Sequence, residues 1–118
     1  MVKRETIQRV ASPTAILVGV AEPLATICSD ALADGGLRVL RVGHIAAACE
    51  RIPVVMPQIV VASTALHATD QEMLADRCGA VGADVIKLAP DAGGDAGLVK
   101  RLKDAANTAL LRSFQRSP

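Results

Sequence analysis

The stretch Ala15-Ile16-Leu17-Val18-Gly19-Val20 is an uninterrupted apolar run near the start of the chain. A continuous run of this length is typical of a strand that is buried on both faces, as in a parallel sheet. Gln58-Ile59-Val60-Val61-Ala62 is a second run of the same kind and follows Pro57. The two runs predict two fully buried strands.

Two further segments have strand character. Leu37–Val42 mixes apolar residues with Arg38 and Arg41, a pattern that predicts an edge strand with one polar face. Asp84–Leu88 is a fourth candidate strand and ends at Ala89-Pro90. The sequence therefore predicts four strands spread evenly along the chain.

Helical patterns lie between these strands and after the last one. The predicted helices are Glu22–Ala33 with Pro23 in its first turn, Ile45–Ile52 ending before Pro53, Thr69–Val81, and Asp95 to about Arg116. Asp34-Gly35-Gly36 is a stop signal for the first helix. Thr69 with Glu72 three residues later predicts a capping box for the third.

Strands that alternate with helices build a parallel sheet with helices on both faces. The predicted fold class is therefore α/β, a flavodoxin-like three-layer sandwich. The chain has 118 residues, enough for one domain, which we place at residues 14–118. Residues 1–13 are interpreted as an N-terminal arm.

Composition narrows the range of functions. Hydrophobic residues make up 51% of the chain and the net charge is +1, which favours a packed core and argues against direct binding to nucleic acid. Phe114 is the single aromatic residue, so platforms that stack bases or flat cofactors are not expected. No apolar run has a membrane-spanning length and the N-terminal residues do not form a secretory signal, so we expect a cytoplasmic protein with no membrane contact.

The cysteines and histidines are scattered. Cys28, Cys49 and Cys78 form no CxxC motif, and the two histidines stand at positions 44 and 67. A zinc site needs about four clustered ligands, so we expect no metal site and no cofactor. Cys28 and Cys49 are expected on buried helix faces, where a thiol acts as a small hydrophobe.

Three segments, taken in order, resemble the receiver domain of two-component response regulators. Leu17–Leu24 resembles the family's first strand and acidic turn. Asp34–Val39 resembles the turn into its second strand. Gly82–Pro90 resembles the Gly-Ala-Asp segment that leads to its last strand and Lys-Pro pair. The resemblance covers about residues 14–115 and implies a doubly wound sheet.

The resemblance also implies a pocket for phosphoryl transfer to an Asp, with Mg²⁺ on an acidic pair and a Lys just before the final Pro. Val20 and Ala21 replace the acidic pair and leave only Glu22. Ala89 replaces the Lys, and Lys87 stands two residues early. The degenerate pocket positions in this chain are Val20, Ala21, Glu22, Ser63, Thr64, Lys87 and Ala89.

The chain is also shorter than the family pattern, because only 27 residues separate Ser63 from Pro90. Either Pro57–Ser63 is the family's third strand and Ser63 replaces the phosphoacceptor, or that run is the fourth strand and the acceptor strand is missing. Under both alignments no aspartate can accept a phosphoryl group, since none lies between Asp34 and Asp70. We expect about four to five strands, with one βα unit missing.

These departures predict a pseudo-receiver, a non-catalytic protein-interaction or signalling module that is not phosphorylated on Asp. The alternative is a small-ligand-binding α/β domain that uses the carboxyl ends of the strands. An enzyme using Ser63 or a cysteine is a third class, and it would need a base that the sequence does not show. His67 is close to Ser63 in sequence but has no evident acidic residue to orient it.

Partner surfaces are predicted on the last helix and around the basic side chains. The terminal helix has more large apolar side chains than a single core-facing stripe needs, namely Leu110, Leu111 and Phe114. This excess favours docking of a protein partner or a second copy through the terminal helix. Basic side chains on the edge strand and last helix form either a partner-binding patch or a solvated face that protects the edge. These residues are Arg38, Arg41, Lys100, Arg101 and Lys103.

Overall fold

The computed structural model describes residues 13–116. Strands and helices alternate along them, in the order that the sequence predicts. The elements are β1 Thr14–Val18, α1 Leu24–Asp34, β2 Arg38–Val42, α2 Ile45–Val55, β3 Ile59–Ser63, α3 Ala68–Val81, β4 Asp84–Leu88 and α4 Leu98–Arg116, with a 3₁₀ turn at Ala92–Gly94.

The four strands form one parallel sheet in the order β2-β1-β3-β4. Every residue of β1 and β3 is buried, as expected for strands with a neighbour on each side and helices on both faces. β2 and β4 lie at the two edges. The predicted fold class, a flavodoxin-like parallel sheet, is confirmed.

Two hydrophobic clusters pack the sheet against its two helical layers. One joins Leu17 and Val61 to side chains of α1 and α4, such as Cys28 and Leu102. The other joins alternate strand residues, such as Val60, to side chains of α2 and α3. The three layers are therefore α1 with α4, the sheet, and α2 with α3.

The turn between α1 and β2 packs directly on α4. A Cβ on Gly35 would lie 2.4 Å from the Cβ of Ala106, and a Cβ on Gly36 would lie 2.7 Å from Leu110 Cδ1. Gly36 also has a φ of 100°, where side chains are strained. The two glycines therefore end α1 and let α4 approach, and their N–H groups bond the carbonyls of Ala31 and Ala33.

The ends of α1, α2 and α4 differ from the predictions. α2 continues past Pro53 to Val55, because a proline near a helix end removes only one bond and the N–H of Met56 still bonds the Ile52 carbonyl at 2.8 Å. α1 begins after Pro23, which is its N-cap. α4 begins at Leu98, since Asp95 accepts a bond from the Gly97 N–H at 2.9 Å and ends the preceding turn.

The predicted capping box at Thr69 is wrong. α3 begins one residue earlier, and its N-cap is His67, whose Nδ1 accepts a bond from the Thr69 N–H at 3.3 Å. His44 caps α2 in the same way, accepting from the Ala47 N–H at 3.3 Å. Both imidazoles thus satisfy N–H groups that a helix leaves unpaired at its start.

β2 is an edge strand as predicted, but it does not have one polar face. Val39 packs in the cluster under α1, whereas Leu40 packs in the cluster under α2. Arg38 and Arg41 are three residues apart and therefore lie on opposite faces, because side chains alternate along a strand. Cys49 also differs from the prediction, being half-buried, whereas Cys28 is buried.

The predicted N-terminal arm lies outside the described residues, apart from Pro13. The Pro13 carbonyl accepts a bond from the Arg38 N–H at 3.0 Å and so extends the contact between β1 and β2. Among residues 13–116, no helix has both the length and the apolar character that crossing a membrane requires.

Candidate functional site

The predicted pocket positions lie where the strands end, at the carboxyl edge of the sheet. Val20 is half-buried and packs against the cluster under α1 and α4. Ala21 is exposed, and its carbonyl accepts a bond from the Ala25 N–H at 3.0 Å. These two residues bring an apolar side chain and a methyl group to the end of β1, and no ligand for a hard cation.

Glu22 is held by two neighbours. Its Oε1 accepts bonds from the Thr26 N–H at 3.1 Å and the Thr26 hydroxyl at 2.7 Å. Its Oε2 accepts a bond from Arg41 Nη1 at 2.9 Å. The Thr26 hydroxyl and the Arg41 guanidinium lower the pKa of the Glu22 carboxyl. The carboxylate is thus neutralised by a cation of the chain itself.

Ser63 ends β3 directly beside β1, and Thr64 follows it. One of the two alignments with the receiver family places the phosphoacceptor at Ser63. Ser63 is 9% exposed and its hydroxyl accepts a bond from the Ala65 N–H at 3.0 Å. The Thr64 carbonyl accepts from Gln71 Nε2 at 3.2 Å. The Ser63 hydroxyl therefore stabilises its own turn, and His67 uses its Nδ1 to cap α3.

A leucine covers the space between the ends of β1 and β2. Gly19 has a φ of 64°, and a Cβ there would lie 3.4 Å from Leu66 Cδ2 and 3.8 Å from the Gly43 carbonyl. Leu66 is half-buried against the cluster under α2 and α3. Gln71 fixes this loop, because its Nε2 also donates to the Leu66 carbonyl at 2.8 Å. The centre of the edge is thus partly filled by the chain's own side chain.

Lys87 and Ala89 lie apart from Glu22. Both are exposed, and β4 is separated from β1 by β3, a distance of about 10 Å between strand axes. Lys87 lines a groove of about 300 Å³ between β4 and α3. The structure therefore brings Glu22 to Arg41 and Thr26, and it does not gather the predicted positions into one cluster.

Within the described part of the chain, no group of three or more His, Cys, Asp or Glu side chains could hold a metal ion. The sequence reasoning missed Arg41 as the partner of Glu22. The two residues are 19 positions apart, and only the β1–β2 register, with Leu17 opposite Arg41, brings them to the same edge. It also missed the roles of Leu66 and Gln71, which depend on the loop conformation.

The residues of the predicted partner surfaces differ in their burial and in their contacts with other residues. Leu110 is half-buried against the core, Leu111 is 61% exposed, and the side chain of Phe114 lies outside the described part of the structure. Four of the five basic residues are close to acids. These contacts are Arg41 with Glu22, Lys100 with Asp104, Arg101 with Asp95, and Lys103 with Asp34 at 3.8 Å.

Solved structures of other proteins have folds similar to that of this chain. A signal receiver domain from Vibrio parahaemolyticus, from a protein named as a LuxO repressor, has a TM-score of 0.66 at 17% identity, covering 91% of this chain and 99% of that one. A protein from Burkholderia pseudomallei, named as pilus assembly-related, has a TM-score of 0.56 at 17% identity, covering 92% and 93%. No protein-family model and no curated protein matches the sequence. The chain therefore has a receiver-like fold.

Proposed function

We propose that the chain is a pseudo-receiver, a non-catalytic module for protein interaction or signalling that is not switched by aspartyl phosphate. The ion pair between Glu22 and Arg41 carries this proposal. Mg²⁺ takes oxygen ligands and usually needs one or two free carboxylates. Glu22 is the acidic residue at the end of β1, and its charge is already balanced by Arg41.

Ser63, which replaces the phosphoacceptor in one of the two alignments, supports the same proposal. Ser63 stands at the end of β3, and a serine nucleophile needs a base within hydrogen-bond reach. Its hydroxyl bonds the Ala65 N–H, and the nearby His67 caps α3. A protein interaction is then the function left to a receiver-like scaffold, through the terminal helix or another exposed surface.

The small-ligand alternative has less support. Its proposed lining residues are spread along the carboxyl edge, and Leu66 packs on Gly19 between them. The groove at Lys87 lies to one side of the sheet, next to α3.

The test is an amide ¹H–¹⁵N NMR titration with Mg²⁺ and beryllofluoride, a mimic of the phosphoryl group. We expect no saturable shifts at Val20, Glu22, Ser63 or Lys87. The double variant A21D/S63D is the positive control, because it adds carboxylates at the carboxyl ends of the neighbouring strands β1 and β3, where Mg²⁺ finds oxygen ligands. Saturable shifts at these residues in the unaltered chain would overturn the proposal.

A further inference from the structure

The outer edge of β2 has main-chain groups without a strand partner. Among residues 13–116, β1 is the single strand that pairs with β2. The Arg38 N–H points to that side, because it bonds the Pro13 carbonyl at 3.0 Å. Successive peptide groups of a strand point to opposite sides, so the N–H and C=O groups of Val39 and Arg41 point out of the sheet.

Helix α2 covers one face of this edge. It packs on β1 and β2 and against α3. Cys49 and Arg51 stand two positions apart, about 200° around a helix axis, so they lie on opposite flanks of α2. Burial raises the pKa of the Cys78 thiol on α3, and Cys49 adds to this effect, so the Cys49 flank faces α3. Arg51 is exposed and lies on the other flank, towards β2.

Two arginines without an acidic partner flank the edge. Leu40 packs in the cluster under α2, and Arg38 lies on the same face of β2 because it stands two residues earlier. Arg38 begins β2 and Arg51 lies in the second half of α2, so both are towards the amino edge of the sheet. Both are exposed, and neither forms an ion pair with a residue that the structure describes. Arg41, on the opposite face, is paired with Glu22.

An exposed apolar side chain lies beside these charges. Val54 follows Arg51 by about one helical turn and is 81% exposed. Glu50, the acidic residue of α2, is about 100° around the helix from Arg51 and forms no ion pair with it. An open strand edge beside a helix is the geometry at which an extended peptide adds to a sheet. The charge of this surface suits an acidic peptide.

A second copy of the chain fits this edge poorly. Two β2 strands paired antiparallel about Leu40 would set Arg41 of each copy opposite Val39 of the other. The two Arg41 side chains would then be diagonal neighbours on one face, and the interface would also gather Arg38 and Arg51 of both copies. Like charges on neighbouring strands are destabilising. The N-terminal arm is also a poor match, because its sequence has more basic than acidic residues.

We propose that β2 and α2 bind an extended acidic segment of a partner protein, which adds to the sheet as a fifth strand. Acidic side chains of the segment face Arg38 and Arg51, and an apolar side chain on the same face lies next to Leu40. The two arginines disfavour pairing of β2 with itself and select an acidic partner. This inference gives a surface and a partner for the proposed interaction function, and it rests on that function.

The experiment uses the blocked peptide Thr-Glu-Thr-Val-Thr-Glu-Thr, which reads the same in both strand directions and has its acids and valine on one face. Thr-Lys-Thr-Val-Thr-Lys-Thr is the matched control peptide. Each is titrated to about 5 mM into the full ¹⁵N-labelled chain, a range suited to weak binding. We expect the acidic peptide to shift the amides of Val39 and Arg41 and to slow their hydrogen exchange by about tenfold. The basic peptide should do neither.

Charge reversal on the chain tests the same contacts. Arg38→Glu and Arg51→Glu should each weaken binding of the acidic peptide by about fivefold. Arg77→Glu is the matched control and should leave binding unchanged, since Arg77 is exposed on α3 and has no ion pair with a described residue.

Three outcomes would overturn the inference. The first is no shift with the acidic peptide, or equal binding of the basic one. The second is binding that neither R38E nor R51E weakens. The third is slow exchange of the Val39 and Arg41 amides in the free chain, because a second copy, detected by sedimentation, or the N-terminal arm then covers the edge. The titration with Mg²⁺ and beryllofluoride reports on the carboxyl edge, so the two proposals can fail separately.

Discussion

Substituting Gly35 tests the contact that closes the α1/α4 layer. In Gly35→Ala the new Cβ would lie 2.4 Å from the Cβ of the fully buried Ala106, and the two carbons must separate by about 1 Å to reach an ordinary contact of 3.4 Å. Overpacking of this kind costs about 1–3 kcal/mol. Gly35 has a right-handed helical conformation that alanine also adopts without strain. Alanine lowers the conformational entropy of the unfolded chain, which should offset this cost by about 0.4–1 kcal/mol. The net loss, taken from the midpoints of these two ranges, is about 1.3 kcal/mol.

Urea unfolding followed by circular dichroism measures this loss, and a second substitution identifies its cause. Ala106→Gly alone should cost about 2 kcal/mol, from helix propensity and a lost buried methyl group. In that background Gly35→Ala meets no methyl group and should be neutral or stabilising. Gly79→Ala is the control, since a Cβ at this exposed helical glycine meets nothing within 4 Å. An equal loss from Gly35→Ala in both backgrounds would refute the packing of α4 on this turn.

Three further predictions concern single groups. Met56→Gly should stabilise the protein by about 0.5–1 kcal/mol in urea unfolding, because Met56 has a φ of 51° and glycine avoids that strain. Stability should fall in acid, at pH values below the ordinary pKa of each carboxyl group, which is 4.5 for Glu22 and 3.8 for Asp95. The folded state lowers both pKa values, through Thr26 and Arg41 for Glu22 and through the Gly97 N–H and Arg101 for Asp95. The two ionised carboxylates therefore stabilise the folded state above their ordinary pKa values, and this stabilisation is lost as pH falls through the folded-state pKa values. The urea midpoints of E22Q and D95N should therefore change less as pH falls than that of the unaltered chain. Thiol labelling with a maleimide should modify half-buried Cys49 before the buried Cys28 and Cys78. Burial raises the pKa of the Cys28 thiol. Burial, with a smaller contribution from Cys49, raises the pKa of the Cys78 thiol to about 11. Earlier labelling of Cys28 or Cys78 would contradict their burial.

The sheet and its order of elements could be predicted from the sequence because they depend on local patterns. β1 and β3 are continuous apolar runs, and only a strand with helices on both faces buries such a run completely. The short distance between Ser63 and Pro90 predicted a sheet of about four to five strands, and the sheet has four.

The site could be predicted only in part, since its contacts join distant residues. The loss of the acidic pair at Val20 and Ala21 is visible in the sequence. The neutralisation of Glu22 by Arg41 is not, because it needs the parallel register of β1 and β2. The capping of α3 by His67 was missed because Thr69 and Glu72 match a common cap signal, whereas the observed cap depends on the loop after β3. The groove at β4 required the position of α3 over the edge strand.

The central claim is that the carboxyl edge of the sheet accepts no phosphoryl group. The most direct measurement is the intact mass of the folded chain after incubation with acetyl phosphate and Mg²⁺. The account predicts an unmodified mass, because Glu22 is neutralised by Arg41 and Ser63 bonds its own turn. A stoichiometric gain of one phosphoryl group, mapped by peptide fragmentation to Ser63 or to another residue of this edge, would contradict it.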